Sequence, residues 1–470
     1  MLDYNLRQRG EKPLYEYLYQ RIRDDIVDGA IGADEHLPSK RFLAEHLGVS
    51  VITVENAYAQ LVAEGYVYAR PRRGFYASAL PDAAERAAGF VGIGGDRDVE
   101  DAPSVAGVPG AVEVADAARG SLRPAPLAGT ALDAARLWQR ALRATLASED
   151  EREAFSPAPA QGTERLRRAI ASHLRGTRGI EVDPARIVVG AGAQLLDLML
   201  VQLLDADKTY AVEDPGYLRL TRIYQASGCR VRHVPIDSEG PVLSELASRQ
   251  VDVLHLMPSH QFPTGRVTSI ARRYGLLAWA ADAPRRYLIE DDYDCEFRLA
   301  GKPIPPLAAI DASGRVIYTN TFSKSLSPAL RLAYMVLPVE LMEKYNRELG
   351  FYSSTVSSVD QVALARLLES GEYERHVMRV RKRARAARDA LRERLGELDL
   401  GGELVMEEAD AGLHCVLAVA SPQGEDELAA RLRTAGVPAV PVSSFAWCAE
   451  HATAPDGLRR LVVSYEGLVL

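Results

Sequence analysis

Apolar residues recur at four-residue spacing through "PLYEYLYQRIRDDIVDG", where Leu14, Leu18, Ile22 and Ile26 precede Gly29. That spacing predicts an amphipathic helix with a glycine terminator. The next stretch, "LPSKRFLAEHLGVSVITVENAYAQLVAEGYV", predicts two short helices joined by a turn. Pro38 and Ser39 start the first helix and Gly48 breaks it. Ser50 caps the second, whose Val54, Ala57, Tyr58 and Leu61 fall on one core face. Helix, glycine turn and helix in this order make a helix-turn-helix. "YVYARPRRGFYAS" follows as two short strands around a basic turn containing Gly74, which reads as a β-wing.

From residue 79 to 128 the pattern dissolves into Ala, Gly, Pro and acidic residues with no sustained apolar period, as expected of a flexible linker. Beyond it, the strand-like runs "RIVVG", "TYAVE", "VDVLHLM", "RRYLIED" and "RVIYTN" are each followed by turn residues and a longer helical stretch. This alternation predicts a large α/β domain built on a mostly parallel sheet. Roughly 340–470, opening on charged helices such as "HVMRVRKRARAARDALRERL", predicts a smaller C-terminal α+β part. The expected organisation is a head over 10–78, a linker over 79–128 and a body over 129–470.

Composition narrows the function. The 470 residues are 47% hydrophobic and 26% charged, with a net charge of −8. No apolar run approaches the ~20 residues that span a bilayer, so no membrane role is expected. "MLDYNLRQRG" lacks the apolar core of a secretory signal, which places the expected protein in the cytoplasm. Cys229, Cys295, Cys415 and Cys448 are widely spaced and form no CxxC, the pattern of reduced buried thiols rather than of a disulfide framework or zinc site. Mild acidity carries no signal for nucleic acid, so any DNA role rests on the head.

In open α/β sheets, ligands bind beyond the carboxyl ends of the strands. Three of these ends are chemically unusual. After "RIVVG" comes "AGAQLLDLML", a small-residue turn opening a helix, where free N–H groups and the helix dipole suit a phosphate; a plain βα turn fits the same residues. After "RRYLI" comes "EDDYDCEF", open to readings as a solvated acidic loop, a divalent-metal site, or a carboxylate facing a protonated ring nitrogen. After "RVIYTN" comes "TFSK", with Lys324 on a tight turn and Arg331 beyond it. A lysine there can form a Schiff base with an aldehyde. Taken together, the phosphate turn at 190–194, the acid at 291, Lys324 and Arg331 specify pyridoxal phosphate (PLP) rather than a nucleotide.

"VEDPGY", "PSHQFPTG", "IEDDYDCEFR" and "NTFSKSLSPALR", with the head sequence above, resemble the MocR group of GntR-type transcription regulators. In that group a winged helix-turn-helix is fused to a fold-type-I aminotransferase-like domain. "AVEDPGY", "RRYGLLAWA", "YMVLP" and "FYSSTVSSVDQ" most resemble the PdxR branch, which regulates PLP synthesis. The resemblance implies that Lys324 carries PLP as a Schiff base, that Asp291 pairs with the pyridine nitrogen, that Tyr293 reaches the 3′ oxygen and that Tyr217 stacks on the ring. Phosphate would be held by Gly192, Ala193, Gln194, Thr321, Ser323 and Arg331. Arg219 matches an effector-binding arginine of relatives that sense amino compounds. On the head, Ser39, Arg41, Ser50, Thr53, Asn56, Arg72, Arg73 and Gly74 are the expected DNA-contacting residues, although Val51 stands where many relatives have arginine.

Two departures bear on activity. Catalytic aminotransferases resemble "P..QNPTG", whose asparagine bonds the cofactor; here Phe262 stands at that position. Near the C-terminus, where they carry an arginine that clamps the substrate carboxylate, "LVVSYEG" places Val462. The expectation is therefore a sensor with no catalytic residues and no metal. It is a homodimer that binds double-stranded promoter DNA, takes PLP as effector and controls vitamin B6 synthesis genes. The alternatives are a regulator responding to GABA, taurine or a D-amino acid, a working aminotransferase, and a body that serves only as a dimerisation scaffold without PLP.

Overall fold

The computed structural model describes residues 4, 6–9, 13–70, 73–80, 130–147, 151–300, 305–451, 456–466 and 468. The predicted linker, 79–128, lies outside the described residues except at its first two positions, and so does Arg72.

The head follows its apolar pattern. Helices Leu14–Val27, Lys40–Leu47 and Val51–Ala63 pack around Leu18, Ile22, Val54, Ala57, Tyr58 and Leu61, all essentially inaccessible to solvent. Ser39 and Ser50 cap the second and third helices by accepting the backbone N–H of Phe42 and Thr53, and Gly48 ends the second in the left-handed region at φ 65°. Three short strands complete it: β1 (His36–Leu37), β2 (Val67–Arg70) and β3 (Gly74–Ala77), in the order β1-β3-β2. Gly74 is required at the wing, because its φ is +102° and a Cβ there would lie 2.7 Å from the His36 ring nitrogen.

The body is built on an eight-stranded sheet. Its strands are β4 (Ile187–Gly190), β5 (Thr209–Asp214), β6 (Arg230–Asp237), β7 (Gly240–Pro241), β8 (Val253–Leu256), β9 (Tyr287–Asp291), β10 (Val316–Thr321) and β11 (Ala333–Val336). They run in the order β4-β11-β10-β9-β8-β5-β6-β7, parallel from β10 through β6, with β11 antiparallel to both its neighbours. Alternate residues enter opposite cores. Val253, Ile289 and Ile317 pack with Leu196, Leu200 and Tyr224, whereas Leu254, Leu288 and Val316 pack with Leu276, Leu277 and Ala280. Burial on both faces explains why these strands read as continuous apolar runs.

Four antiparallel strands, β12 (Leu404–Glu407), β13 (His414–Val419), β14 (Ala439–Pro441) and β15 (Arg459–Ser464), form the smaller sheet in the order β12-β13-β15-β14. The charged helix Glu372–Gly396 buries Tyr373, Val377, Val380, Ala384 and Leu391.

Two expectations need correction. β6 and β11 were not apparent in the apolar pattern: β6 mixes Arg and His with Val at the sheet's margin, and β11 follows β10 after the connection 322–332, which holds only the short turn Pro328–Leu330 in place of the expected longer helix. Among the described residues, the step from β9 to β10 also lacks a long helix, having only turns of Cys295–Phe297 and Leu307–Ile310.

The head is docked on the body. Ile270 belongs to the head's own apolar cluster, flanked by the partly buried Tyr274 and Ile310. Close approach is possible because Gly65, at φ +77°, has no side chain: a Cβ there would lie 3.4 Å from the Ile270 backbone nitrogen. Cys229, Cys295 and Cys415 are buried thiols and Cys448 is half-buried. Among the described residues, no helix is long and apolar enough to cross a membrane.

Candidate functional site

The carboxyl ends of β4, β5, β8, β9 and β10 share one sheet edge, and the sequence-predicted cofactor residues follow directly from them. Register sets their levels: Asp291 at the end of β9 lies beside Thr319 of β10, and Gly190 of β4 lies beside Ala333 of β11, just beyond Arg331.

The phosphate end is a small-residue cup. Gly192, at φ +91°, precedes the helix Ala193–Leu204 without any side-chain cap, so the first N–H groups of that helix face outward. The Arg331 guanidinium lies across Gly192, where a Cβ would come within 2.1 Å of its terminal nitrogen. Arg331 is exposed and has no anionic partner among the described residues. An unneutralised guanidinium over a glycine at a helix N-terminus fits a phosphate group. Ser323 stands beside it, its N–H donating to Thr321 Oγ1 at 3.1 Å. The Thr321 hydroxyl, 2.8 Å from Ser323 Oγ and 3.2 Å from the Leu332 carbonyl, is buried and braces the turn.

Lys324 follows on the same turn. Its Nζ donates to Glu466 Oε2 at 2.8 Å; about a third of the lysine side chain is exposed, against 13% for the glutamate. Glu466 lies just past β15 and was not singled out from sequence, because nothing in "SYEG" marks its glutamate as a partner of a residue so distant in the chain.

Behind the edge, Asp291 faces the buried His255, with His255 Nε2 3.9 Å from Asp291 Oδ2 and Nδ1 2.6 Å from the Tyr224 hydroxyl. Burial works against a charge on His255, yet the neighbouring Asp291, Asp197 and Glu213 outweigh it and hold its pKa above the ordinary value. Burial likewise pushes the carboxyls of Asp197 and Glu213 up to about 7. A histidine inside an apolar strand gave no sign of this role in the sequence.

Tyr293 is held by a second buried group. Its hydroxyl is 3.3 Å from His260 Nδ1, and that nitrogen is 2.8 Å from Asp294 Oδ2. His414 lies against His260 with ring centroids 4.2 Å apart, and His260, Asp294 and His414 bring potential ligand atoms within 4.8 Å of one another. The bond between His260 and Asp294 makes this cluster a bracket for the Tyr293 ring.

Tyr217 meets Phe262 edge to face at 6.1 Å, and Phe262 meets both His414, at 5.7 Å, and Phe445, at 5.1 Å. Phe445 packs with Val416, Val442 and the fully buried Val462. Arg460 is engaged by Glu407 at 2.9 Å and by Asp456 at 2.7 Å. Arg219 is exposed, its guanidinium 5.7 Å from the centre of the Tyr217 ring.

At the head, Ser39, Arg41, Ser50, Asn56, Arg73 and Gly74 are exposed and Thr53 half-buried. Ser50 Oγ lies 2.8 Å from Thr53 Oγ1 and accepts the Thr53 N–H at 3.1 Å, so these two side chains fix the start of the recognition helix. Val51 and Ile52 present apolar surface beside them, 42% and 67% exposed.

Residues 14–77 match the family model for bacterial regulatory proteins of the gntR family, and residues 128–460 match that for aminotransferase class I and II. The fold is that of the kynurenine aminotransferase of Pyrococcus horikoshii, with a TM-score of 0.60 at 25% identity over 74% of this chain and 85% of that one. Head and body together define a GntR-type transcription regulator with a DNA-binding head and a fold-type-I aminotransferase-like domain. The chain is 35% identical to the HTH-type transcriptional regulator YdeL of Bacillus subtilis, over 92% of this chain and 89% of that one. It is 31% identical to the probable rhizopine catabolism regulatory protein MocR of Rhizobium meliloti (87% and 83%). It is 34% identical to the pyridoxine biosynthesis transcriptional regulator PdxR of Corynebacterium glutamicum (86% and 83%). It belongs to the MocR group of GntR-type regulators.

Proposed function

We propose that this chain is a PLP-responsive regulator of vitamin B6 synthesis genes, in which residues 10–78 bind promoter DNA and residues 129–470 bind PLP and pair two copies into a cytoplasmic homodimer. The observation that carries the reading is the grouping of Lys324, Asp291 and the Gly192–Arg331 cup on one sheet edge, with Phe262 and Val462 where an aminotransferase carries polar groups.

When bound, PLP supplies an aldehyde and an electron-poor ring. Lys324 would supply the amine that holds the aldehyde. Asp291, backed by His255, offers a carboxylate to the ring nitrogen, and Tyr293, steadied by His260, offers its hydroxyl to the 3′ oxygen. Tyr217 covers a ring face. Gly192, Ala193, Gln194, Ser323 and Arg331 hold the phosphate, with Thr321 orienting Ser323. Phe262 cannot make the polar contact that tunes the ring for catalysis, and Val462 cannot clamp a carboxylate, so the site retains PLP rather than turning over amino acids. Ser39, Arg41, Ser50, Thr53, Asn56, Arg72, Arg73 and Gly74 form the DNA-facing surface of the head.

The test is a titration of PLP against labelled promoter DNA at fixed salt, using full-length protein. The expected result is a PLP-dependent change in affinity or footprint. An identical footprint and affinity with and without PLP would refute the regulatory reading even if PLP is bound. Arg219 favours a second reading, an amino compound acting with PLP, and adding GABA, taurine and D-alanine to the same titration tests it.

A further inference from the structure

We propose that Glu466 is the selectivity element of the Lys324 cleft: it excludes ligands whose carboxylate lies close to their amine and admits carboxylate-free amines. This rests on the reading that PLP is held at Lys324.

Three observations carry it. Glu466 is largely buried and aims its carboxylate at the Lys324 nitrogen, 2.8 Å away. Phe262 packs on Phe445, which packs in turn with the fully buried Val462, so the position of Val462 offers no cation. The guanidinium of Arg460, carried on the same strand as Val462, is already committed to Glu407 and Asp456. A ligand amine that reaches the carbon joined to the Lys324 nitrogen must approach that nitrogen closely. An α-amino acid then brings its own carboxylate beside Glu466. A monoamine brings no such charge, and the far ammonium of a diamine is attracted to Glu466. Like charges placed together in a binding site discriminate strongly against the wrong ligand. Even at the fully solvated limit, two carboxylates ~4 Å apart disfavour binding by about fivefold, and partial burial increases the factor.

The experiment measures heats of binding of L-alanine, L-glutamate, propylamine and 1,4-diaminobutane to the PLP-loaded full-length protein, so that binding is read whether or not chemistry follows. Wild type is compared with Glu466→Gln, which removes the charge at constant shape, and with Glu466→Arg. Because the readout is a ratio of amine to amino-acid affinity within each protein, it is independent of the fraction folded. The wild type is expected to favour the amines. Glu466→Gln is expected to reduce the ratio by about fivefold or more, and Glu466→Arg to invert it. An unchanged ratio in Glu466→Gln would overturn the proposal. Borohydride reduction followed by peptide mass analysis separates the two failures. If PLP is fixed on Lys324 and the ratio does not move, only the role of Glu466 is lost; if PLP is fixed elsewhere or not at all, the cofactor reading falls and takes this proposal with it.

Discussion

Replacing Arg331 tests the phosphate cup with little disturbance to the fold. The side chain is exposed, touches Gly192 and has no anionic partner among the described residues, so Arg331→Ala strands no buried charge. The backbone there is left-handed, with φ 49°, but alanine and arginine bear that cost alike, so the thermal midpoint should barely change. What is lost is a charge-assisted hydrogen bond to the phosphate, worth about 1.5–3 kcal/mol, so PLP affinity should fall roughly ten- to hundredfold. The helix N-terminus and Ser323 remain, and residual binding is expected. Ser323→Ala removes a hydrogen bond without touching the cation and should cost less. Arg331→Lys keeps the charge without the planar fork and should fall between wild type and Arg331→Ala. Equilibrium dialysis of PLP against full-length protein, with thermal unfolding as the control, gives the order. A change within about twofold for Arg331→Ala at unchanged midpoint would mean that the phosphate does not lie between Gly192 and Arg331.

Lys324→Ala should abolish the borohydride-reducible PLP adduct while leaving the unfolding midpoint within a few degrees of wild type; an adduct that persists in peptide mapping assigns the chemistry to another lysine. Gly74→Ala meets both a positive φ and the His36 ring, so it should weaken DNA binding in a gel-shift titration by tenfold or more while PLP retention is unchanged. The carboxyls of Asp197 and Glu213 titrate at about 7 when folded and near 4 when unfolded, so between these values the folded chain binds more protons and stability falls as pH rises. Asp197→Asn stays neutral, and the wild type should therefore lose stability relative to this variant between pH 5 and 8 in denaturant titrations; a constant difference counts against the buried acid. Ile270→Ser should shrink the PLP response of DNA affinity in the promoter titration, and a full response would show that the docked head plays no part in it.

The head was legible because it depends on local rules. Serine caps, a glycine stop and a four-residue apolar period fix three helices irrespective of the rest of the chain, and Val54, Ala57, Tyr58 and Leu61 are buried as their spacing required. The central strands were legible for the opposite reason: burial on both faces leaves an uninterrupted apolar run. Marginal β6, whose arginines face outward, carries no such run and was missed. In the site, residues next to strand ends could be named because topology brings all those ends to one edge. Partners from distant segments could not. Glu466 reaches Lys324, and His414 reaches His260, only because the small sheet folds back over the cleft, and no periodicity in either segment encodes that return. His255 reads as one more residue in a strand until Asp197, Glu213 and Asp291 are seen around it.

Under the proposed function, a ligand in the cleft alters DNA binding only to the extent that it favours one arrangement of the head over another. The docking contact is positioned to make that difference. The loop carrying Phe262 runs on to Ser269 and Ile270, against which Gly65 and the head's core pack. The segment carrying Asp291 and Tyr293 runs on to Arg298, which lies within electrostatic reach of the buried Glu64 at the end of the recognition helix. Both routes from the cleft thus end on the same short stretch of the head, the turn that joins the recognition helix to the wing. The apolar part of the contact centres on Ile270, and full burial of one such side chain is worth about 1.5–3 kcal/mol. Couplings between sites typically amount to about 1–3 kcal/mol. A head held by a contact of that size can be released or retained by a bound ligand, whereas a much larger interface would fix it in place whatever occupied the cleft.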